Sequence, residues 1–204
     1  MNRHTPFIFA ALLLASLASL LWRCQTKPTQ QAEEVTTLRC EYLENPLGID
    51  AEKPRLSWVI EERTQMPEAR DLKQTAYQML VASSEEMLNK DKGDLWDSGK
   101  MAFDQSIQVE YKGKPLESRM QCYWKVRIWD QDGKATAWST PAYWSMGLLK
   151  PEDFTAKWIG VSQSEVTEWP KPRYLRREFT IDRAIHRATV YATALGLYEL
   201  RLNG

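Results

Sequence analysis

Between Cys122 and Asp130 the chain reads Cys-Tyr-Trp-Lys-Val-Arg-Ile-Trp-Asp, in which apolar and polar residues alternate with a period of two. Trp124, Val126 and Ile128 fall on one face, and Tyr123, Lys125, Arg127 and Trp129 on the other, the pattern of a strand buried on one side. Gln131-Asp132-Gly133-Lys134 supplies a turn in which Gly133 takes a positive φ, and a second run from Tyr143 to Met146 is placed to pair back. Similar runs occur at Leu38–Leu43, Arg55–Glu61, Thr75–Ala82, Ile107–Tyr111 and Ala142–Met146. Asn45-Pro46, Lys53-Pro54, Ser98-Gly99 and Lys112-Gly113 punctuate them. One short helix is expected, where Ser83-Ser84 offers a cap and Glu85-Glu86 an acidic first turn. Six or seven short strands between residues 36 and 150 predict an all-β fold, an immunoglobulin or fibronectin type III-like sandwich. Trp58, Trp124 and Trp144 alternate with aliphatic neighbours and are expected in its core, with Trp96 packed over it.

After Lys150 the alternation resumes at Lys157–Gly160, Tyr174–Ile181, His186–Thr193 and Leu197–Leu202. These segments predict the first strands of a second, truncated β-sandwich over 151–204. Asn203-Gly204 is a strong hairpin signal with no return strand after it, so the chain reads as a fragment.

The N-terminus has a different character. Arg3 and His4 precede the apolar run Phe7–Leu21, which is short for a membrane span and suits the apolar region of a signal peptide. Residues 1–24 are therefore expected to direct export, and the polar stretch 25–35 to act as a tether. Cys24 is a candidate lipidation site, although Arg23 stands where lipoprotein processing takes Gly, Ala or Ser. The expected location is the periplasm or cell surface of a Gram-negative bacterium, with contact to the membrane only through the N-terminal segment.

Composition narrows the chemistry. Lys plus Arg equals Asp plus Glu, 27 each, so no net field favours nucleic acid. Nine Trp, eight Tyr and five Phe suit a sandwich core or surfaces that stack on flat ligands. Cys40 and Cys122 lie in predicted strands, where a long-loop disulfide is one reading and two buried thiols the plainer one. With His4 and His186 the only histidines and no CxxC spacing, neither a zinc site nor any cofactor is expected.

Several pieces, in order, resemble the N-terminal region of bacterial α-L-rhamnosidases of glycoside hydrolase family 78. They are Leu38-Arg39-Cys40-Glu41-Tyr42, Glu44-Asn45-Pro46-Leu47-Gly48-Ile49-Asp50, Pro54-Arg55-Leu56-Ser57-Trp58, Gln74–Gln78, Leu95–Lys100, Tyr123–Asp130, Ala137-Trp138-Ser139 and Lys157–Gly160. Tyr174–Phe179 and Gly196–Gly204 resemble the start of the family's next, carbohydrate-binding-type sandwich.

The resemblance implies a parent enzyme that removes terminal α-L-rhamnose with inversion, using two carboxyls in a downstream α/α barrel. Nothing in this chain matches those catalytic carboxyls, and Glu33-Glu34 and Glu85-Glu86 read as tether and helix-start charges. The expected partner is the downstream catalytic domain of the same polypeptide, with rhamnosylated glycans as a further one. Trp169, in a Pro-flanked loop, and Trp129, on the polar strand face, are the candidates for sugar contact. A free carbohydrate-binding or adhesion module is the rival reading, and a protein-binding sandwich a third.

Overall fold

The computed structural model describes residues 33–62, 73–160, 172–185 and 187–204. The chain divides into two units, Met1–Thr155 and Ala156–Gly204.

In the first unit the described strands form two antiparallel sheets. β1 (Glu33–Cys40), β2 (Arg55–Glu62) and β5 (Val109–Glu110) make the smaller sheet in the order β1-β2-β5. β4 (Trp96–Asp97), β3 (Ala76–Ala82), β6 (Gln121–Trp129) and β7 (Ala142–Ser145) make the larger in the order β4-β3-β6-β7. This is an immunoglobulin-like sandwich, held by an apolar layer between the two sheets.

The period of two in β6 places its residues as the alternation requires. Cys122, Trp124, Val126 and Ile128 are buried in the core with Val35, Leu38, Leu56, Trp58, Met79, Val81 and Trp144. Aromatic rings tie the layer together through edge contacts, Trp58 to Tyr77 at 5.2 Å, Trp96 to Tyr111 at 5.4 Å and Tyr111 to Trp144 at 6.2 Å between centroids. Two of the buried indoles have hydrogen-bond partners, Trp144 Nε1 in the Met146 sulfur at 3.3 Å and Trp58 in a buried amide. Trp58 Nε1 donates to Gln74 Oε1 at 3.0 Å, and Gln74 Nε2 donates to the Gln105 carbonyl at 2.9 Å. Cys40 and Cys122 are both free thiols in this core, and burial pushes each up to about 12. Such thiols are small hydrophobes and poor nucleophiles.

The short helix α1 (Glu85–Asn89) has the expected serine start, with the Ser84 side chain accepting from Met87 N at 3.3 Å. Its Leu88 joins Leu80 and Ala82 in a second buried cluster on the outer face of the larger sheet.

Two strand expectations change. The run Leu38–Leu43 does not continue as one strand, because Glu41 (φ 48°) and Tyr42 (φ 68°) reverse the chain and Cys40 pairs with Leu43 across them. Strand structure lies earlier instead, from Glu33, so Glu33 and Glu34 belong to β1 and pair with Glu62 and Glu61. Nor do the alternating segments after residue 156 carry any strand among the described residues. Ladder bonds require a neighbouring strand, and without one the apolar faces stay in water. Tyr174, Leu195 and Leu197 are almost wholly exposed.

Candidate functional site

The polar face of β6 carries a connected arrangement of cations and aromatic rings. Alternation points Lys125, Arg127 and Trp129 outward together, and the segment after the Gly133 turn lays Trp138 beside them. The Arg127 guanidinium lies 4.5 Å from the Trp138 ring centroid and 5.0 Å from that of Trp129. Lys125 Nζ is 5.1 Å from Trp138, and Lys100 Nζ is 4.6 Å from Trp129. Cations and rings thus alternate as Lys100, Trp129, Arg127, Trp138, Lys125.

The middle and one end of this ladder are tied down. Arg127 Nη2 donates to Gln78 Oε1 at 2.7 Å, and Gln78 Nε2 donates to Asp97 Oδ1 at 2.8 Å, linking β6 through β3 to β4. Lys125 is buried, and its ammonium donates to the Leu88 carbonyl at 2.7 Å and to Asp91, closing the C-terminal end of α1. The turn beneath is held by Asp130, whose Oδ1 accepts from Asp132 N at 3.0 Å and Lys134 N at 2.8 Å, with Gly133 at φ 74°.

At one end of the sandwich an open cleft of about 770 Å³ is lined by Lys53, Lys112, Lys114, Arg119, Lys150, Glu117 and Asp153, among others. Tyr111 forms part of its wall, donating to the Lys114 carbonyl at 2.9 Å. Asp153 accepts from the Ser118 hydroxyl, and that bond holds its carboxyl below the ordinary carboxylate range.

The other perturbed carboxyls of the sandwich move the same way. Glu41 is lowered by its hydrogen bonds from Arg55. Burial pushes Asp94 up, but the Ser83 hydroxyl and amide outweigh it and keep the group low. A carboxylic acid that protonates a glycosidic oxygen needs the opposite shift, produced by an apolar or like-charged surrounding. These acids are ionised hydrogen-bond acceptors that fasten loops. Among the described residues, no group of three or more His, Cys, Asp and Glu side chains could hold a metal ion.

Of the residues singled out from sequence, Trp129 stands at the end of β6, half-buried within the ladder. Trp169 and Cys24 lie outside the described residues. The ladder partners of Trp129 were missed in the sequence. Arg127 and Trp138 were visible as outward-facing or turn-adjacent residues, but Lys100 comes from the segment after β4 and no local pattern links it to β6.

Fold and surface together define an immunoglobulin-type β-sandwich whose polar side chains brace loops. Residues 35–150 match the family described as the Rha78A-like, N-terminal immunoglobulin domain, and the chain belongs to that family. It is 35% identical over 210 residues to an α-L-rhamnosidase of Formosa agariphila, an alignment covering 98% of this chain and 21% of that protein. It is 36% identical over 194 residues to an α-L-rhamnosidase of Streptomyces avermitilis, covering 85% and 18%. The crystal structure of the Streptomyces avermitilis α-L-rhamnosidase complexed with L-rhamnose superposes with a TM-score of 0.60 at 43% identity, over 65% of this chain and 12% of that one. The α-L-rhamnosidase from Dictyoglumus thermophilum gives 0.59 at 36% identity, over 64% and 14%. The chain therefore spans about a fifth of the length of the curated relatives it matches.

Proposed function

We propose that this chain is the N-terminal accessory portion of an exported α-L-rhamnosidase that hydrolyses terminal α-L-rhamnose from glycosides, and that its own role is structural. The observation that carries the reading is the similarity along 98% of the chain to a protein named as an α-L-rhamnosidase, of which it covers 21%. The chemistry of the sandwich agrees with a non-catalytic role. Its perturbed carboxyls are lowered rather than raised, which suits bracing and not general acid catalysis.

Export rests on the apolar run Phe7–Leu21 behind Arg3, with periplasmic or cell-surface residence following from it and Cys24 as an alternative point of lipid attachment. Residues 36–150 are the spacer sandwich, and 151–204 open a second, carbohydrate-binding-type sandwich. The partner in this reading is the catalytic domain further along the same polypeptide. For glycan contact, Trp129 is a poor platform. A pyranose stacks through a ring's open face, whereas Trp129 already lends its π system to Lys100 and Arg127. Trp169 carries that role if either does.

The test uses the complete coding sequence that contains this chain. Its product is expected to release nitrophenol from an aryl α-L-rhamnoside and to appear outside the cytoplasm of a Gram-negative host with its N-terminus shortened. An inactive but folded product, or one retained with Met1 intact, contradicts the respective half of the reading.

A further inference from the structure

The cleft at one end of the sandwich collects positive charge from segments far apart in the sequence. Lys53 comes from the approach to β2, Lys112, Lys114 and Arg119 from the connection between β5 and β6, and Lys150 from the segment after β7. Three carboxylates, Glu52, Glu117 and Asp153, stand against these five cations. The chain as a whole is balanced at 27 of each sign, so the excess is local, and a concave site concentrates such a field.

Acids and cations of the cleft are not equally available. Asp153 accepts from the Ser118 hydroxyl and from Lys150 N at 3.3 Å, which commits its charge to bracing the wall. Ser118 in turn accepts from Leu149 N at 2.8 Å, and Arg119 Nη2 donates to the Asp153 carbonyl at 2.6 Å. Elsewhere in the lining the Tyr111 hydroxyl donates to the Lys114 carbonyl at 2.9 Å, and Lys114 N donates to the Leu95 carbonyl at 2.9 Å. The walls are preformed, which spares a ligand the cost of ordering them. Lys53 and Lys112, by contrast, are exposed and form no ion pair among the described residues.

The rest of the lining leaves recognition to charge. Tyr111 and Leu116 are 2% and 8% exposed, so the cleft offers no ring face to a neutral pyranose and few anchors to an apolar side chain. Lysine ammoniums are point charges on flexible stems, suited to anionic groups at varied spacing. The volume of about 770 Å³ lies in the range of sites that take drug-sized ligands. Position favours a soluble ligand over a lipid headgroup. β1 begins at Glu33 opposite Glu62, the last residue of β2, whereas Lys53 lies two residues before the start of β2, so the N-terminal segment enters at the end away from the cleft.

We propose that this cleft, with Lys53, Lys112, Lys114 and Lys150 as its cations, binds acidic oligosaccharides through their carboxylate or sulfate groups. The choice of a glycan rests on reading the chain as part of a rhamnosidase. It deepens that reading, because rhamnose is neutral and the cleft engages acidic sugars elsewhere in a mixed glycan.

The test titrates the 204-residue chain with tetragalacturonate, with a sulfated galactose tetramer, and with carboxyl-reduced tetragalacturonate as the neutral control, read by calorimetry and amide NMR shifts. One or both acidic tetramers are expected to bind and to shift the Lys112 and Gly113 amides. Binding is expected to weaken as salt rises from about 10 to about 150 mM. Lys53→Gln with Lys112→Gln is expected to weaken it at least about fivefold, the loss of two exposed ion pairs. Lys90→Gln with Lys92→Gln removes the same charge just past α1 and should leave binding unchanged. All four lysines are exposed, so both variants should keep the thermal midpoint. Shifts confined to other surfaces, equal binding of the neutral tetramer, equal losses in the two variants, or a polyglutamate peptide that binds as tightly as the better glycan each overturn the proposal. So does the absence of binding by either acidic tetramer at about 10 mM. Activity of the full-length product is read separately. An inactive product whose cleft binds acidic tetramers sinks the functional reading alone, and an active one whose cleft binds none sinks this proposal alone.

Discussion

Glu41 and Tyr42 both sit at positive φ, and what keeps two non-glycine residues there is Arg55. Left-handed backbone costs a branched or bulky residue on the order of 1 kcal/mol, so the carboxylate clamp must offset a standing penalty. Because hydrogen bonds from Arg55 lower the Glu41 pKa, the folded state binds fewer protons at this site than the unfolded chain. Its contribution is therefore complete above the ordinary value of 4.5 and is lost as pH falls through the lowered folded value. Glu41→Gln should reduce the urea midpoint near neutral pH, and the gap from wild type should narrow as pH falls below 4.5 and close only below the lowered folded value. A gap that is constant across that range would mean the charge has no part in holding the turn.

Sequence reading extended a strand across these residues, since neither Gly nor Asn marks the reversal. The determinant is Arg55, fourteen positions away. By contrast Trp58, Trp124 and Trp144 were legible as core, because alternation alone decides which way they point.

At the scale of elements, the strands with a clean period of two were the legible ones. β6 and β3 pair residue for residue from Ala76 with Trp129 to Ala82 with Tyr123, and both were placed to within a residue. The start of α1 was legible from its serine cap and acidic first turn, but not the lysine that fastens its other end. Lys125 reads locally as an outward charge, and its burial comes from contacts distant in sequence, the Leu88 carbonyl of α1, Asp91 and the Trp138 ring.

The turn after β5 was marked by Gly113, and its packing gives the reason for glycine. A Cβ there would lie 2.5 Å from the Leu95 carbonyl oxygen and 2.6 Å from Trp96 Cβ, neither of which is a flexible chain end. Gly113→Ala should therefore destabilise the sandwich by roughly 1–3 kcal/mol, the usual cost of overpacking. Chemical denaturation measures it. A loss below a few tenths of a kcal/mol would show that the backbone at Leu95 and Trp96 can shift away.

On the scale of the whole molecule, the boundary near residue 150 is where packing changes. Up to Met146 the strands bury large side chains completely, whereas Trp158, Ile159, Tyr174 and Leu197 are mostly or wholly exposed. The sequence after 156 has the alternation of strands but too few of them to cover a face, which is why pattern and structure part there. Limited proteolysis of the 204-residue chain is accordingly expected to leave a core whose C-terminal end falls between about 147 and 160. Equal resistance from Trp158 to Gly204 in a monomer would mean that the second unit is folded by itself.

The sandwich architecture was legible because seven short strands leave few alternatives, and the family resemblance followed from the order of many weak motifs. What this chain contributes chemically is a separate question, and one measurement addresses it most directly. Purified 204-residue chain and the full-length product are assayed side by side on an aryl α-L-rhamnoside. The account predicts nitrophenol release by the full-length protein and none above background from the chain alone, because the chain covers only about a fifth of the rhamnosidases it matches, and its lowered carboxyls are unsuited to the protonating-acid role that inverting hydrolysis needs. Hydrolysis by the chain itself, abolished by substituting one of its own Asp or Glu residues, would contradict it.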